Sequence, residues 1–136
     1  MIDYSYLFKD YEWNINSEKE SWECLKTFIK PDFVFFDIGC QKGMYSKAVL
    51  DLNINCEVFG FDLIKHPEID KLTKYSNFHF INEAVGDGNS DTCIIHWDTK
   101  TSISVEKTLK LDAFHTKPDV IKIDVDCNEF NILNGM

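Results

Sequence analysis

Apolar residues cluster in short runs closed by polar turn residues. Phe33 to Phe36 is an unbroken apolar run that ends at Asp37 and a glycine-containing turn, and Val58 to Phe61 repeats the pattern and ends at Asp62. Phe78 to Ile81 and Val120 to Val125 complete the set. Runs of this length, bounded by turn signals, predict strands buried on both faces, as in a parallel sheet. Helical segments fall between them. Met44 to Leu52 reads as a helix that exits at Asn53 and Asn55, and Pro67 suits the first turn of a short helix running to about Tyr75. Upstream, Ser17 and Glu20 form a capping box that predicts a helix start. Trp22, Leu25, Phe28 and Ile29 then recur at helical spacing, and Pro31 stops the helix near Ile29. Asn128 to Met136 begins a last helix.

Two further segments, Thr92 to Trp97 and Ile103 to Leu111, are rich in β-branched residues and flank the polar stretch Asp98 to Thr101. They predict an inserted antiparallel hairpin, preceded by a loop at Gly86, Asp87, Gly88, Asn89 and Ser90. Strands alternating with helices predict an α/β fold with a doubly wound, mainly parallel sheet: strands one to four plus the hairpin. A length of 136 residues accommodates one domain. Residues 1–31 are expected to form a helical lid segment and residues 32–136 a core. The early aromatics Tyr4, Tyr6, Phe8, Tyr11 and Trp13 either line a substrate mouth or pack onto that core, and packing is the commoner use.

Composition narrows the partners. Net charge is −9 and all 14 basic residues are lysine, so no guanidinium fork is available for phosphates and nucleic acid is excluded as an expected partner. No apolar run approaches the roughly 18 residues of a membrane span, and no basic-then-apolar leader opens the chain. A soluble, cytoplasmic protein is expected. The five cysteines are scattered without a CxxC pair, and the four histidines lack ligand spacing, so reduced thiols and no zinc site are expected.

The sharpest chemical signal is Asp37-Ile-Gly39-Cys-Gln-Lys-Gly43, where a buried strand turns into a helix. Glycines at such a turn let a ligand approach the backbone, and in a doubly wound sheet the turn lies at the carboxyl end of the strands, where ligands bind. The dinucleotide fingerprint GxGxxG is absent, and a pyrophosphate would face the Asp37 charge. S-adenosylmethionine carries a sulfonium and an ammonium instead, so an acid here suits it by Coulomb attraction. Asp62, 25 residues beyond Asp37, stands where a carboxylate can accept both ribose hydroxyls, a device that NAD proteins share.

Here a family resemblance becomes specific. Phe36-Asp-Ile-Gly-Cys-Gln-Lys-Gly-Met-Tyr-Ser46 resembles motif I of FkbM-type S-adenosylmethionine-dependent methyltransferases, and Phe59-Gly-Phe-Asp62 resembles their second strand end. Asn82-Glu-Ala-Val-Gly-Asp87, Thr108-Leu-Lys-Leu-Asp-Ala-Phe114 and Ile121-Lys-Ile-Asp-Val-Asp126 are similar to the family's later elements. The resemblance runs from about Phe33 to Met136. It implies a Rossmann-like methyltransferase sheet and S-adenosyl-L-methionine as cofactor. Asp37, Gly39 and Gly43 would cradle the methionine part, Cys40 between them would also contact the cofactor, Asp62 would hold the ribose, and Glu83, Ala84 and Val85 would border the adenine. It also implies O-methylation of a small-molecule hydroxyl acceptor, a sugar or secondary metabolite.

Asp124 and Asp126 are the catalytic candidates, Asp124 for positioning and Asp126 as the weaker of the two. With Lys122 they share one face of an extended strand by its period of two. A hard cation on Asp124, Asp126 and Asn128 is the weaker reading, because adjacent acids at a strand end more often serve as cofactor contacts or caps. The chain departs from the family's KIDVEGAE at Asp126 and Cys127, where glutamate and glycine are expected. It also stops at Met136, inside the helix after strand four, which reads as a C-terminal truncation of a seven-stranded sheet. The exposed edge so left could be covered by a second copy. These departures support the competing expectation of a non-catalytic S-adenosylmethionine-binding module, with an NAD-dependent oxidoreductase a distant third.

Overall fold

Four of the apolar runs pair as parallel strands around a common core. The computed structural model describes residues 15–96, 99–126 and 128–136. In chain order the elements are α1 (Ile15–Lys26), β1 (Val34–Ile38), α2 (Met44–Asp51), β2 (Glu57–Phe61), a 3₁₀ helix (Pro67–Lys74) and β3 (Phe78–Ile81). They are followed by β4 (Asp91–His96), β5 (Thr101–Val105), a 3₁₀ turn (Leu111–Ala113), β6 (Val120–Ile123) and α3 (Glu129–Asn134). The main sheet has the order β3-β2-β1-β6 with every pairing parallel, and β4 and β5 form a separate antiparallel hairpin. The chain steps outward from β1 to β2 to β3, then returns to place β6 on the opposite side of β1. That reversal is a topological switch point of a doubly wound, Rossmann-like α/β sheet, and it opens a crevice at the carboxyl ends of β1 and β6.

Side chains alternate along each strand, so the sheet has two apolar faces. On one, Phe35, Val58 and Phe78 pack against Trp22 of α1, Ala48 and Val49 of α2, and Ile69 and Leu72 of the 3₁₀ helix. On the other, Phe36, Ile38, Phe59 and Phe61 meet Val85, Leu111 and Ile132 of α3. Phe36 lies 5.0–5.6 Å, centroid to centroid, from Phe59, Phe61 and Phe114 in tilted and edge-on contacts. Such pairs add about 0.5–1.5 kcal/mol each beyond the area they bury.

Several boundaries differ from expectation for identifiable reasons. Ser17 already lies inside α1, so it is not the helix start, and α1 ends at Lys26 in a turn made by Thr27 and Phe28 N–H groups. Phe28 is 59% exposed and does not belong to the buried face. The segment after Pro67 is 3₁₀ rather than α: a repeat of three puts Ile69 and Leu72, both buried, over one another against the sheet. The second hairpin strand stops at Val105, because Leu109 leaves it to make a parallel bridge with Val85. β6 stops at Ile123, which leaves Asp124 and Asp126 in the following turn instead of on one strand face. The early aromatics, Trp97, Asp98 and Cys127 lie outside the described residues.

Candidate functional site

Asp37 occupies the fourth position of β1, inside the strand and not beyond it, and its register partner on β6 is Lys122. Both side chains point to the α2 face, where Phe35 and Val120 also pack. Asp37 is fully buried, and its Oδ2 accepts hydrogen bonds from Ser46 N–H (3.0 Å) and Ser46 Oγ–H (2.7 Å) at the first turn of α2. Its Oδ1 takes no hydrogen bond but stands 3.0 Å from Lys122 Nζ as an ion pair. The Lys122 ammonium also donates to Gly39 O (3.1 Å), lies 3.9 Å from Asp124 Oδ2, and sits 5.2 Å from the centre of the Tyr45 ring. Burial pulls this ammonium toward neutrality, but the Asp37 and Asp124 charges and the contact with Asp37 outweigh it, and the net effect holds Lys122 protonated above its ordinary range.

The turn after β1 is built on left-handed residues at every second position: Gly39 (φ 72°), Gln41 (φ 48°) and Gly43 (φ 81°). At Gly39 a Cβ would meet Asp124 O at 2.0 Å, so glycine lets the turn lie directly on the chain leaving β6. At Gly43 a Cβ would meet Leu72 Cδ1 at 2.6 Å, so this residue serves the close packing of the 3₁₀ helix. Cys40 is buried against Gly60, where an added Cβ would stand 3.1 Å from its Sγ. Burial, reinforced by the Asp37 and Asp62 charges, pushes the Cys40 thiol far up, so it stays protonated.

Asp62 closes the turn from β2. Its Oδ2 accepts Gln41 N–H at 2.8 Å and its Oδ1 accepts Ile64 N–H at 2.9 Å. Each carboxylate oxygen has a second lone pair, so Asp62 can accept further donors. Asn82 donates from its side chain to Asp62 O and Leu63 O at 2.9 and 2.8 Å, fixing the strand ends.

An open cleft lies at these strand ends, its walls including Gly39, Gln41, Tyr45, Lys122, Asp124 and Glu18. The last was not anticipated: α1 carries Glu18 across so that its Oε2 accepts the Tyr45 hydroxyl. Asp124 reaches the same cleft with a side chain 67% exposed. Asp126 is exposed, and the partial desolvation of its carboxyl, then the charges of Asp124 and Glu129, raise it above the ordinary range. Asn128 holds the N-cap position of α3 without a side-chain cap bond. Among the described residues, no group of three His, Cys, Asp or Glu is placed to hold a metal ion.

Of the remaining candidates, Glu83 is exposed, Ala84 half-buried and Val85 buried in the second core, where it bridges to Leu109. Sequence reasoning put Lys122 beside Asp124 but missed its pairing with Asp37. A lysine and an aspartate in two buried strands were the available signal, since each demands an opposite charge. No sequence signal pointed to Glu18.

No helix among the described residues is long and apolar enough to cross a membrane. No family model matches the chain, and no curated protein does. A solved structure, Burkholderia thailandensis 1,6-didemethyltoxoflavin-N1-methyltransferase with 1,6-didemethyltoxoflavin and S-adenosylhomocysteine bound, is similar over 72% of this chain at 19% identity and a TM-score of 0.40. The similar region spans 53% of that enzyme, about half its length.

Proposed function

We propose that this chain binds S-adenosyl-L-methionine at the carboxyl ends of β1, β2 and β6 and acts as a methyltransferase domain toward a hydroxyl of a sugar or secondary metabolite. The observation that carries this reading is the charge of the cleft. Glu18 and Asp124 line the cleft with Lys42 and Lys122, and Asp37 and Asp62 support its turn, so four carboxylates stand against two ammonium groups. The excess of negative charge suits a ligand with a sulfonium and an ammonium and opposes a pyrophosphate. Asp62 would accept the ribose hydroxyls with its remaining lone pairs. Asp37, buried beneath the turn, would position it and not touch the ligand. Gly39, Cys40 and Gln41 would present backbone, and the exposed Glu83 and half-buried Ala84 are the candidates for an adenine border.

When bound, the cofactor supplies an electrophilic methyl group and a neutral thioether leaving group. The chain's own residues would align the acceptor and take its proton, and Asp124, which lines the cleft, is the candidate carboxylate. Asp124 and Asp126 are both exposed, and this favours a second reading, a module that binds the ligand without turnover, because neither of these carboxylates is held in a dry site.

The test is calorimetry of the chain with S-adenosylmethionine, S-adenosylhomocysteine and NAD, repeated on Asp62→Ala. Binding of the first two but not NAD, weakened at least tenfold by the substitution, is the expected result. Absence of binding to S-adenosylmethionine overturns the proposal. Binding with no S-adenosylhomocysteine release across a panel of hydroxyl acceptors selects the module reading.

A further inference from the structure

We infer that Glu18, held by Tyr45, is a specificity residue of the cleft that recognises the ammonium of an amino-acid head group. This rests on the cofactor reading above and deepens it. The starting observation is that α1 precedes the sheet in sequence yet contributes a wall of the cleft formed by β1 and β6.

Two anchors hold Glu18 there. Trp22, one turn further along α1, is 1% exposed in the core formed with Val49 and Phe35, which sets the helix against the α2 face. The Tyr45 hydroxyl donates to Glu18 Oε2, and the Tyr45 ring is itself buried beside the Lys122 ammonium. The direction of that bond is secured by the phenol. Burial first, then the hydrogen bond and the charge of Glu18, push it well above its ordinary range, so it donates and the carboxylate accepts. Among the described residues Glu18 Oε1 accepts no hydrogen bond, which leaves one oxygen of a positioned carboxylate for a ligand.

The other charged residues lining this cleft are Lys42, Lys122 and Asp124. Lys122 lines it with its ammonium already committed to Asp37 and Gly39 O, and Asp124 stands beside Lys122 at 3.9 Å. Asp124 and Glu18 thus present two separate negative positions, one on the chain leaving β6 and one on α1. A sulfonium and an ammonium in one ligand are two separate positive positions. The assignment of the ammonium to Glu18 follows from place: Glu18 and Asp124 line the cleft and Asp62 does not, and Asp124 already stands 3.9 Å from the Lys122 ammonium whereas Glu18 is held by a neutral phenol.

Three ligands separate the roles. S-adenosylmethionine has both cations, S-adenosylhomocysteine has only the ammonium, and 5′-methylthioadenosine has neither. Calorimetry on the full chain and on Glu18→Gln, which keeps size and shape, should show affinity for the first two falling about tenfold, as for loss of a charge-assisted hydrogen bond, with 5′-methylthioadenosine unchanged. Tyr45→Phe should give a smaller loss with the same ligand pattern, and the double variant should be no worse than Glu18→Gln alone. Asp124→Asn should instead weaken S-adenosylmethionine more than S-adenosylhomocysteine. Equal affinities of wild type and Glu18→Gln for S-adenosylmethionine, with thermal unfolding unchanged, overturn the inference while leaving the cofactor reading intact. Equal losses for all three ligands overturn it as well, since they mark a structural effect. If the wild type binds none of the three, the cofactor reading falls and this inference falls with it.

Discussion

Replacing Lys122 by Met tests whether the floor of the cleft is held by charge. The substitution keeps most of the apolar stem and removes the ammonium 3.0 Å from Asp37 Oδ1. Asp37 is fully buried, so its carboxylate is left charged in a dry place with only the two Ser46 hydrogen bonds. Removing one member of a buried pair costs about 3–5 kcal/mol. The Ser46 bonds survive, so the lower end, ~3 kcal/mol, is expected. With an unfolding entropy of about 2.1 cal/mol/K per residue, a chain of 136 residues should lose about 10 °C in melting temperature.

Lys65 provides the control. It lies nearer its partner Asp70, at 2.6 Å, but the two side chains are 46% and 66% exposed. Lys65→Met should cost less than about 1 kcal/mol, because water screens that pair. The assay is urea unfolding followed by circular dichroism, extended across pH. The folded-state value of Lys122 is raised above its ordinary 10.5, so the stability it supplies is complete below that pH and fades as pH rises through the higher folded value. The gap between wild type and Lys122→Met should therefore be constant at neutral pH and shrink above roughly pH 10.5. A loss under about 1 kcal/mol for Lys122→Met, no larger than that of the control, would refute the claim that this pair organises the site.

Two more substitutions probe the turn and the acids beyond β6. Gly39→Ala should destabilise by about 3 kcal/mol or more, since left-handed φ costs 1–2 kcal/mol and the clash with a backbone oxygen cannot be relieved by a side-chain move. Gly88→Ala, at φ 91° but facing only the flexible Lys110 side chain, should cost no more than the backbone term of about 1–2 kcal/mol, and urea unfolding compares the two. Asp126→Asn should stabilise the fold slightly at neutral pH, by a few tenths of a kcal/mol after screening. Because the folded-state value of Asp126 is raised, charging it opposes folding, so the gain should disappear in acid below its ordinary 3.8, where both states are protonated. Unfolding curves at acid and neutral pH check the sign.

The strands were legible because burial on both faces leaves little freedom in composition. Phe35 and Phe36 look to opposite cores, yet both must be apolar, and the resulting run is visible without any partner. The helices were less legible where tertiary packing overrode local signals. The Ser17–Glu20 capping box is a local pattern, but α1 runs through it because Trp22 and Leu25 are drawn to the core. The 3₁₀ form after Pro67 reflects a spacing of three between Ile69 and Leu72, which a reading tuned to 3.6 residues assigns to an ordinary helix.

The site shows the same division more sharply. Gly39, Asp62 and Asp124 were found because each marks a strand end, and strand ends are where a doubly wound sheet must turn and can bind. The meaning of Asp37 was not available in this way. An acid at the end of a buried strand can face a ligand or face inward, and only the register Asp37↔Lys122 decides between them. Once the pair is seen, the roles separate. The acid nearest the glycine turn becomes the support of the turn, held from α2 by Ser46 and from β6 by Lys122. On the proposed reading, the ligand-facing charge passes to residues that no spacing connects: Asp62 after β2, Asp124 after β6 and Glu18 on α1. Two carboxylates from separate segments, Glu18 and Asp124, line one open cleft, Asp62 holds the Gln41 end of its turn, and Asp37 is neutralised beneath it. That division of labour makes separable predictions for Lys122→Met, which should act on the fold, and Glu18→Gln, which should act on the ligand.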